Sequence, residues 1–283
     1  MRVIEVREFG GPEVLSLVDR PEPVAAENEV LVRVHASTVN PVDRAVRAGR
    51  IPNLTAPLVL GWEFAGTVDG SAVVGMVPWF VVRRGTNAEF VAVQREWLVP
   101  LPDGVDPVAA ATLPLSGQTA KQALDLVGVQ AGQSLLVTGA GGSVGGFAVQ
   151  LASAAGVHVT AMASDAEYVS SLGAKSVIGR GDVQGQFDAI LDAGLAGPKL
   201  ISAVRDGGAF VTVNEGAKPT PERDVRVDAV HTKPSLDDLD AIVTAYASGR
   251  LHTRVADAVP AANAVEAHRR ADAGIQGKLV LTF

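Results

Sequence analysis

Apolar positions in the first hundred residues recur with a period near two and stop every few residues at glycine or proline. Val30-Leu-Val-Arg-Val-His-Ala36 mixes alternation with a β-branched run, which predicts a half-buried strand. Residues 58–68, 73–82 and 89–93 predict strands in the same way. Gly10-Gly-Pro12, Pro21, Pro23, Pro41, Pro57, Pro78, Gly85, Pro100 and Pro102 interrupt these runs, and short strands so punctuated predict a barrel or sandwich. The pattern changes near Asp106. Residues 107–112 and 117–127 read as helical, and beyond them strands and helices alternate. Strands are predicted at 134–138, 157–161, 176–178, 187–191 and 209–213, with helices starting near Ser143, Asp165 and Gly197. That alternation predicts a parallel, doubly wound sheet. Residues 225–230 predict an edge strand, and Ser235 caps a helix running to Ala247. A strand at 254–259, a helix at 261–273 and a strand at 278–283 close the chain.

One stretch carries chemistry. Leu135-Leu-Val-Thr-Gly-Ala-Gly-Gly-Ser-Val-Gly-Gly-Phe147 runs from an apolar strand through a glycine-dense turn into a helix, and the next apolar run follows within one βαβ length. This is the arrangement of a dinucleotide-binding crossover. Glycine lets backbone N–H groups approach a pyrophosphate, and the helix N-terminus adds partial positive charge. Against the G-x-G-x-x-G spacing the register is Ala140-x-Gly142-x-x-Gly145, with alanine in the first place. Ala140, Gly141, Gly142, Ser143, Val144 and Gly145 are the expected cradle; a ligand-free turn is the alternative. The second strand ends in Ala163-Ser164, where an NAD site places an acid for the ribose hydroxyls. Without that acid a 2′-phosphate meets no repulsion, Ser164 offers a hydroxyl, and NADPH is the expected cofactor. Asp165 argues the other way unless it caps the following helix.

Composition sets the bounds. At 283 residues two domains are expected, and 47% hydrophobic with 19% charged residues suits a large core. A net charge of −7 without a basic patch argues against nucleic acid. The absence of cysteine excludes disulfides and thiolate metal sites. Met1-Arg-Val-Ile-Glu reads as charged strand rather than signal peptide, and no apolar run reaches membrane-spanning length. A cytoplasmic protein with no membrane partner is expected.

Nine stretches stand in a familiar order: Ala36-Ser-Thr-Val-Asn-Pro-Val-Asp43, Gly61-Trp-Glu-Phe-Ala-Gly66, Asn87-Ala-Glu-Phe-Val-Ala-Val93, Ala109-Ala-Ala-Thr-Leu-Pro114, the glycine turn, Leu172-Gly-Ala174, Phe187-Asp-Ala-Ile-Leu-Asp192, Gly207-Gly-Ala-Phe-Val-Thr-Val213 and Gly277-Lys-Leu-Val-Leu281. Through them nearly the whole chain resembles the medium-chain dehydrogenase/reductase superfamily, most of all its zinc-free quinone oxidoreductase branch. The resemblance implies an α/β protein with a GroES-like β-barrel from residues 1–115, completed by 249–283, and a Rossmann domain over 116–248, with the active site in the cleft between them. It implies hydride transfer from NADPH to a small-molecule quinone or α,β-unsaturated carbonyl; a non-catalytic NADPH-binding protein of the same fold is the alternative.

The resemblance also nominates residues. Asn40, Trp62 and Pro114 stand where metal-bearing relatives carry zinc ligands; none suits a tetrahedral N/S site, so no metal is expected. Asn40 is the candidate donor to an oxygen gathering negative charge, and Asp43 the candidate that orients its turn, although both are ordinary turn residues. Glu63 reads as a salt-bridge partner. Thr119, at the start of a helix bridging the domains, is expected on the nicotinamide-side phosphate and ribose, or as a cap. Arg180 offers a guanidinium to the 2′-phosphate, or is a solvated turn residue. Asp192, Val213 and Asn214 are expected along the cofactor. Lys278 is expected near the cofactor phosphates, or as a surface lysine opening the last strand. Tyr168 and Tyr246 fall on helices of the nucleotide half, and the five histidines read as surface or capped groups. The chain is short around 69–71 and 214–235. The second shortening predicts trimmed outer strands in the nucleotide domain, the strands on which the family's usual homodimer is built.

Overall fold

The computed structural model describes all of residues 1–283. They form two compact units, each with its own core. Residues 1–115, 233–247 and 254–283 make the first; residues 116–232 and 248–253 make the second.

The first unit is a β-structure. Its seven-stranded sheet runs Val255–Pro260, Lys278–Thr282, Glu29–Val39, Glu63–Val68, Ser71–Met76, Leu98–Pro100, with Phe90–Gln94 also paired to Glu29–Val39. A three-stranded sheet adds Leu15–Asp19, Arg2–Val6 and Leu58–Val59. Alternation along Glu29–Val39 buries Val30, Val32 and Val34, which pack with Phe64, Val91, Val93, Leu279 and Leu281. Two expected strands divide. Residues 58–68 split at Gly61, whose φ of +102° belongs to glycine and whose added Cβ would lie 2.6 Å from the Asn87 nitrogen. Residues 73–82 become a strand ending at Met76 and a helical turn, Trp79–Val82, because Pro78 has no N–H for the ladder. The helix Leu236–Ala247 packs on Leu98–Pro100 in this unit, so Tyr246 lies here and not in the nucleotide half.

The second unit is a six-stranded, all-parallel sheet in the order Ser176–Ile178, His158–Met162, Ser134–Thr138, Phe187–Asp192, Val204–Thr212, Arg226–Ala229. In chain sequence this is 3-2-1-4-5-6, the doubly wound order. The expected trimming of outer strands is corrected: the sixth strand is present and pairs in parallel with the fifth. The crossovers are what shrink. Residues 179–186 carry no helix, 193–203 only the 3₁₀ segment Pro198–Ala203, and 213–225 only Glu215–Ala217. Leu200 and Ala203 cover Leu136, Ile190 and Phe210 in place of a full helix. Arg226 donates to the carbonyl oxygens of Leu126 and Val127, tying the last strand to the end of the helix Pro114–Val127.

Candidate functional site

In the nucleotide unit the glycine turn leaves the strand Ser134–Thr138 and enters the helix Ser143–Ala154. Ala140 is buried and donates its N–H to the Met162 carbonyl, which locks the turn to the second strand. Gly145 permits close packing, since a Cβ there would sit 2.3 Å from the Gly139 oxygen. Above Gly141 a Cβ would meet nothing nearer than 3.9 Å, so that side of the turn is open. Gly142 occupies the helix N-cap and no side chain caps it, which leaves the N–H groups around Ser143 and Val144 facing outward with the dipole behind them.

The neighbouring loops complete this end of the sheet. Met162, Arg180, Val183, Gly194, Leu195, Lys199 and Ser202 are among the residues lining a cavity of about 430 Å³. No acidic side chain lines it. Arg180 and Lys199 are both exposed and make no ion pair. Ser164 is exposed at the end of the second strand. The Asp165 carboxylate caps the helix Ala166–Ser171, accepting from the Tyr168 N–H at 3.1 Å. Lys199 had no sequence signal, because it lies in a crossover expected to be an ordinary helix.

Four more nominated residues lie close to this end of the sheet or on the bridging helix, and three of them make side-chain contacts within the chain. Asp192 is fully buried and accepts from the Thr138 hydroxyl and from the N–H groups of Ala196 and Gly197 at 2.9 Å, so its carboxylate shapes the loop beside the turn. The Asn214 side chain accepts from the Gly216 N–H, while Val213 is half-buried beside it. Thr119 does not begin its helix, which starts at Pro114; its hydroxyl lies 2.7 Å from that of Thr232.

In the barrel unit the strands Glu29–Val39, Glu63–Val68 and Lys278–Thr282 bring their ends together. Leu279 stands opposite Val39, which sets Lys278 opposite Asn40. Lys278 is therefore not a surface lysine: it is 4% exposed. Its Nζ donates to Asn40 Oδ1 and lies 3.1 Å from Glu63 Oε1. The same Glu63 oxygen accepts from the Thr38 hydroxyl at 2.5 Å and from Asn40 Nδ2 at 3.2 Å, and Glu63 Oε2 accepts from the Leu115 N–H at 2.7 Å. Asp43 is fully buried beneath them, accepting from the N–H groups of Asn40 at 2.8 Å and Gly61 at 2.9 Å. Burial raises its pKa to about 7; the two N–H groups and the Lys278 charge pull it down, and the Glu63 charge pushes it up.

No three His, Cys, Asp or Glu side chains converge as a metal cage. Trp62 stacks against Trp79, ring centroids 4.9 Å apart, and both are buried; Phe80, 5.7 Å from Trp62, is 45% exposed. Of the histidines, His268 departs from the expected surface role. It is wholly buried beside Arg47, 3.0 Å away, and desolvation followed by the Arg47 charge lowers its pKa to about 3.

Known proteins match both units. A zinc-binding dehydrogenase family matches residues 164–281, and an alcohol dehydrogenase GroES-like domain matches residues 26–78. The chain is 30% identical over 246 residues to a 2-methylene-furan-3-one reductase of Solanum lycopersicum, covering 77% of this chain and 63% of that one. It is 32% identical over 239 residues to a chloroplastic NADPH-dependent alkenal/one oxidoreductase of Arabidopsis thaliana, covering 75% and 62%. The match thus spans about six-tenths of these curated relatives. Among solved structures, the quinone oxidoreductase from Coxiella burnetii superposes with a TM-score of 0.93 at 27% identity, covering 100% of this chain and 99% of the other. No helix is long and apolar enough to cross a membrane.

Proposed function

The chain belongs to the medium-chain dehydrogenase/reductase family, and from that premise we propose that it is a reductase transferring hydride from NADPH to a quinone or an α,β-unsaturated carbonyl. The observation that carries the reading is the open glycine turn beside an acid-free cavity bearing two unpaired cations. The residues fit the cofactor. Gly141, Gly142 and the first turn of Ser143–Ala154 would hold the pyrophosphate, and Ser164, Arg180 and Lys199 the 2′-phosphate. When bound, NADPH supplies the hydride. The protein's part is to align the acceptor, exclude water and stabilise the charge that arrives on its oxygen.

Zinc does not fit. Trp62 is stacked in the barrel core, Pro114 has no donor side chain, and Asn40 is held between an ammonium and a carboxylate. We therefore read the reaction as metal-free, although the family that matches residues 164–281 is described as zinc-binding. The name of the Arabidopsis relative supports NADPH, and the names of all three similar proteins support conjugated carbonyl acceptors. The assembly we propose is a homodimer joined through the edge strand Arg226–Ala229, in the cytoplasm.

The test is NADPH oxidation with benzoquinone and with a linear enone, beside NADPH binding followed by nicotinamide fluorescence. Acceptor-dependent oxidation is expected with at least one of the two. Binding without oxidation by either would leave a nucleotide-binding protein and refute the reductase.

A further inference from the structure

In the nucleotide unit one histidine stands at the carboxyl end of the sheet. His158 opens its strand at the opposite, amino end, and His252 lies outside the sheet. His231 comes two residues after the last strand, Arg226–Ala229, and the Val230 N–H before it donates to the Thr212 carbonyl at 2.9 Å. Glu215 opens the turn that leaves the neighbouring strand, and Asn214 caps that turn through the Gly216 N–H. His231 Nε2 meets Glu215 Oε2 at 3.3 Å, while Glu215 Oε1 meets Lys218 Nζ at 2.9 Å. The Lys218 hydrogen bond first, then that of His231, holds the Glu215 carboxyl below its usual range. Glu215 is therefore the acceptor, and Nε2 is the imidazole nitrogen that carries hydrogen. The His231 side chain is 73% exposed, and its Nδ1 has no partner within the chain.

Strand order decides what lies above this pair. The glycine turn follows Ser134–Thr138, and Arg180 draws the 2′-phosphate toward the second and third strands. A dinucleotide lies across the carboxyl ends of a doubly wound sheet on both sides of that switch point. Its nicotinamide half then runs the other way, over Phe187–Asp192, Val204–Thr212 and Arg226–Ala229, the last two of which carry Glu215 and His231 at their ends. All these residues belong to the nucleotide unit. An acceptor takes hydride only within about 3–3.5 Å of the donor carbon, so it shares that half of the edge.

The groups nominated from sequence are already committed. Both Asn40 amide hydrogens go to Thr38 Oγ1 at 2.9 Å and to Glu63 Oε1, and Asp43 is fully buried. Imidazole is the side chain suited to give a proton near neutral pH, and a carboxylate on its far nitrogen fixes the tautomer and steadies the cation. We propose that His231 is the general acid for an α,β-unsaturated carbonyl, delivering the Nδ1 proton to the α-carbon, with Glu215 as the positioning residue that holds Nε2–H. The proposal rests on the reductase reading. In the step it serves, the β-carbon gains hydrogen and an electron pair from the C4–H bond of NADPH, which is left oxidised. The conjugated double bond shifts to give an enolate, and the enolate α-carbon takes the Nδ1 proton. The neutral imidazole keeps Nε2–H on Glu215 and regains its other proton from water.

The experiment compares His231→Ala, His231→Gln and Glu215→Gln with the parent in the full chain. Both His231 variants are expected to bind NADPH within roughly threefold of the parent and to lose roughly a hundredfold in kcat with a linear enone, the lower end for a general acid. The loss should be smaller with benzoquinone, whose reduced oxygen takes its proton from water. Added imidazole is expected to restore His231→Ala by roughly tenfold. Glu215→Gln should lose roughly tenfold in kcat in the parent and nothing further in the His231→Ala background, because it acts through the imidazole. A second readout needs neither cofactor nor turnover. Spectra of ¹⁵N-histidine-labelled protein at alkaline pH, with the His231 signal identified by its loss in His231→Ala, should show the Nε2–H tautomer in the parent and lose that preference in Glu215→Gln. Full kcat with the enone in either His231 variant overturns the proposal. So does a loss confined to NADPH affinity, a loss that imidazole cannot relieve, or an Nδ1–H tautomer in the parent. A parent that reduces benzoquinone but not the enone overturns the proposal and leaves the reductase standing. A parent that reduces neither refutes the reductase reading, and the proposal with it.

Discussion

Two places in the molecule, one in each unit, treat charge in opposite ways. In the barrel unit Asp43, Glu63 and Lys278 are buried, and each is met by named partners within the chain. In the nucleotide unit Arg180 and Lys199 stand exposed around a cavity that offers them no acid. A buried charge must be answered by the fold itself, because low dielectric penalises any mismatch. An exposed cation is hydrated and can wait for a ligand. Substitutions in the first place should therefore reach stability and turnover together, and substitutions in the second should reach affinity alone.

The largest effect is expected at Glu63. Glu63→Gln leaves the Lys278 ammonium with an amide in place of its carboxylate, and breaking a buried pair from one side costs about 3–5 kcal/mol. Urea unfolding measures it. A loss under about 1 kcal/mol, the scale of surface pairs, would erase the contrast between the units.

The next effect, up to about 4 kcal/mol at 1.36 kcal/mol for each pH unit, follows from Asp43. Folded Asp43 keeps its proton to about pH 7, whereas the ordinary carboxyl releases it near 3.8. Between those values the native state binds more protons than the unfolded state, so this contribution falls as pH rises through the window and levels off above it. Asp43→Asn cannot ionise and should lose that slope. An identical slope in the variant would place the titration elsewhere.

Smaller effects belong to the open cavity. Arg180→Ala and Lys199→Ala should each weaken NADPH by about 1.5–3 kcal/mol, as expected for one charged hydrogen bond, with unfolding unchanged. NADH affinity should stay as it is. Equal losses for both cofactors would show that the pair does not read the 2′-phosphate. Smallest is Asp165→Ala, which removes the cap on Ala166–Ser171 and should lower stability by about 1 kcal/mol without altering cofactor preference. A swing toward NADPH in that variant would return Asp165 to the ribose.

Much of this was legible from short-range pattern. The glycine turn, the parallel strands and the last strand from Lys278 follow from periodicity and punctuation, which are local. The splits at Gly61 and Pro78 were less legible, because an apolar run continues through both while the backbone changes direction. The empty crossovers at 179–186 and 213–225 were harder still: a short connection shows that residues are missing, not whether strand or helix was lost. Thr119 was misplaced by assuming its helix began after Ser116, when Pro114 already starts it. The pairing of Asn40 with Lys278 joins residues 238 apart and is fixed by sheet register, which no single stretch of sequence displays.

The most direct test is the ratio of kcat/KM for NADPH over NADH, measured on the unmodified protein with its better acceptor. The two cations predict a ratio above about ten, equivalent to roughly 1.4 kcal/mol of discrimination. A ratio near one, or no turnover with either cofactor, would contradict the account.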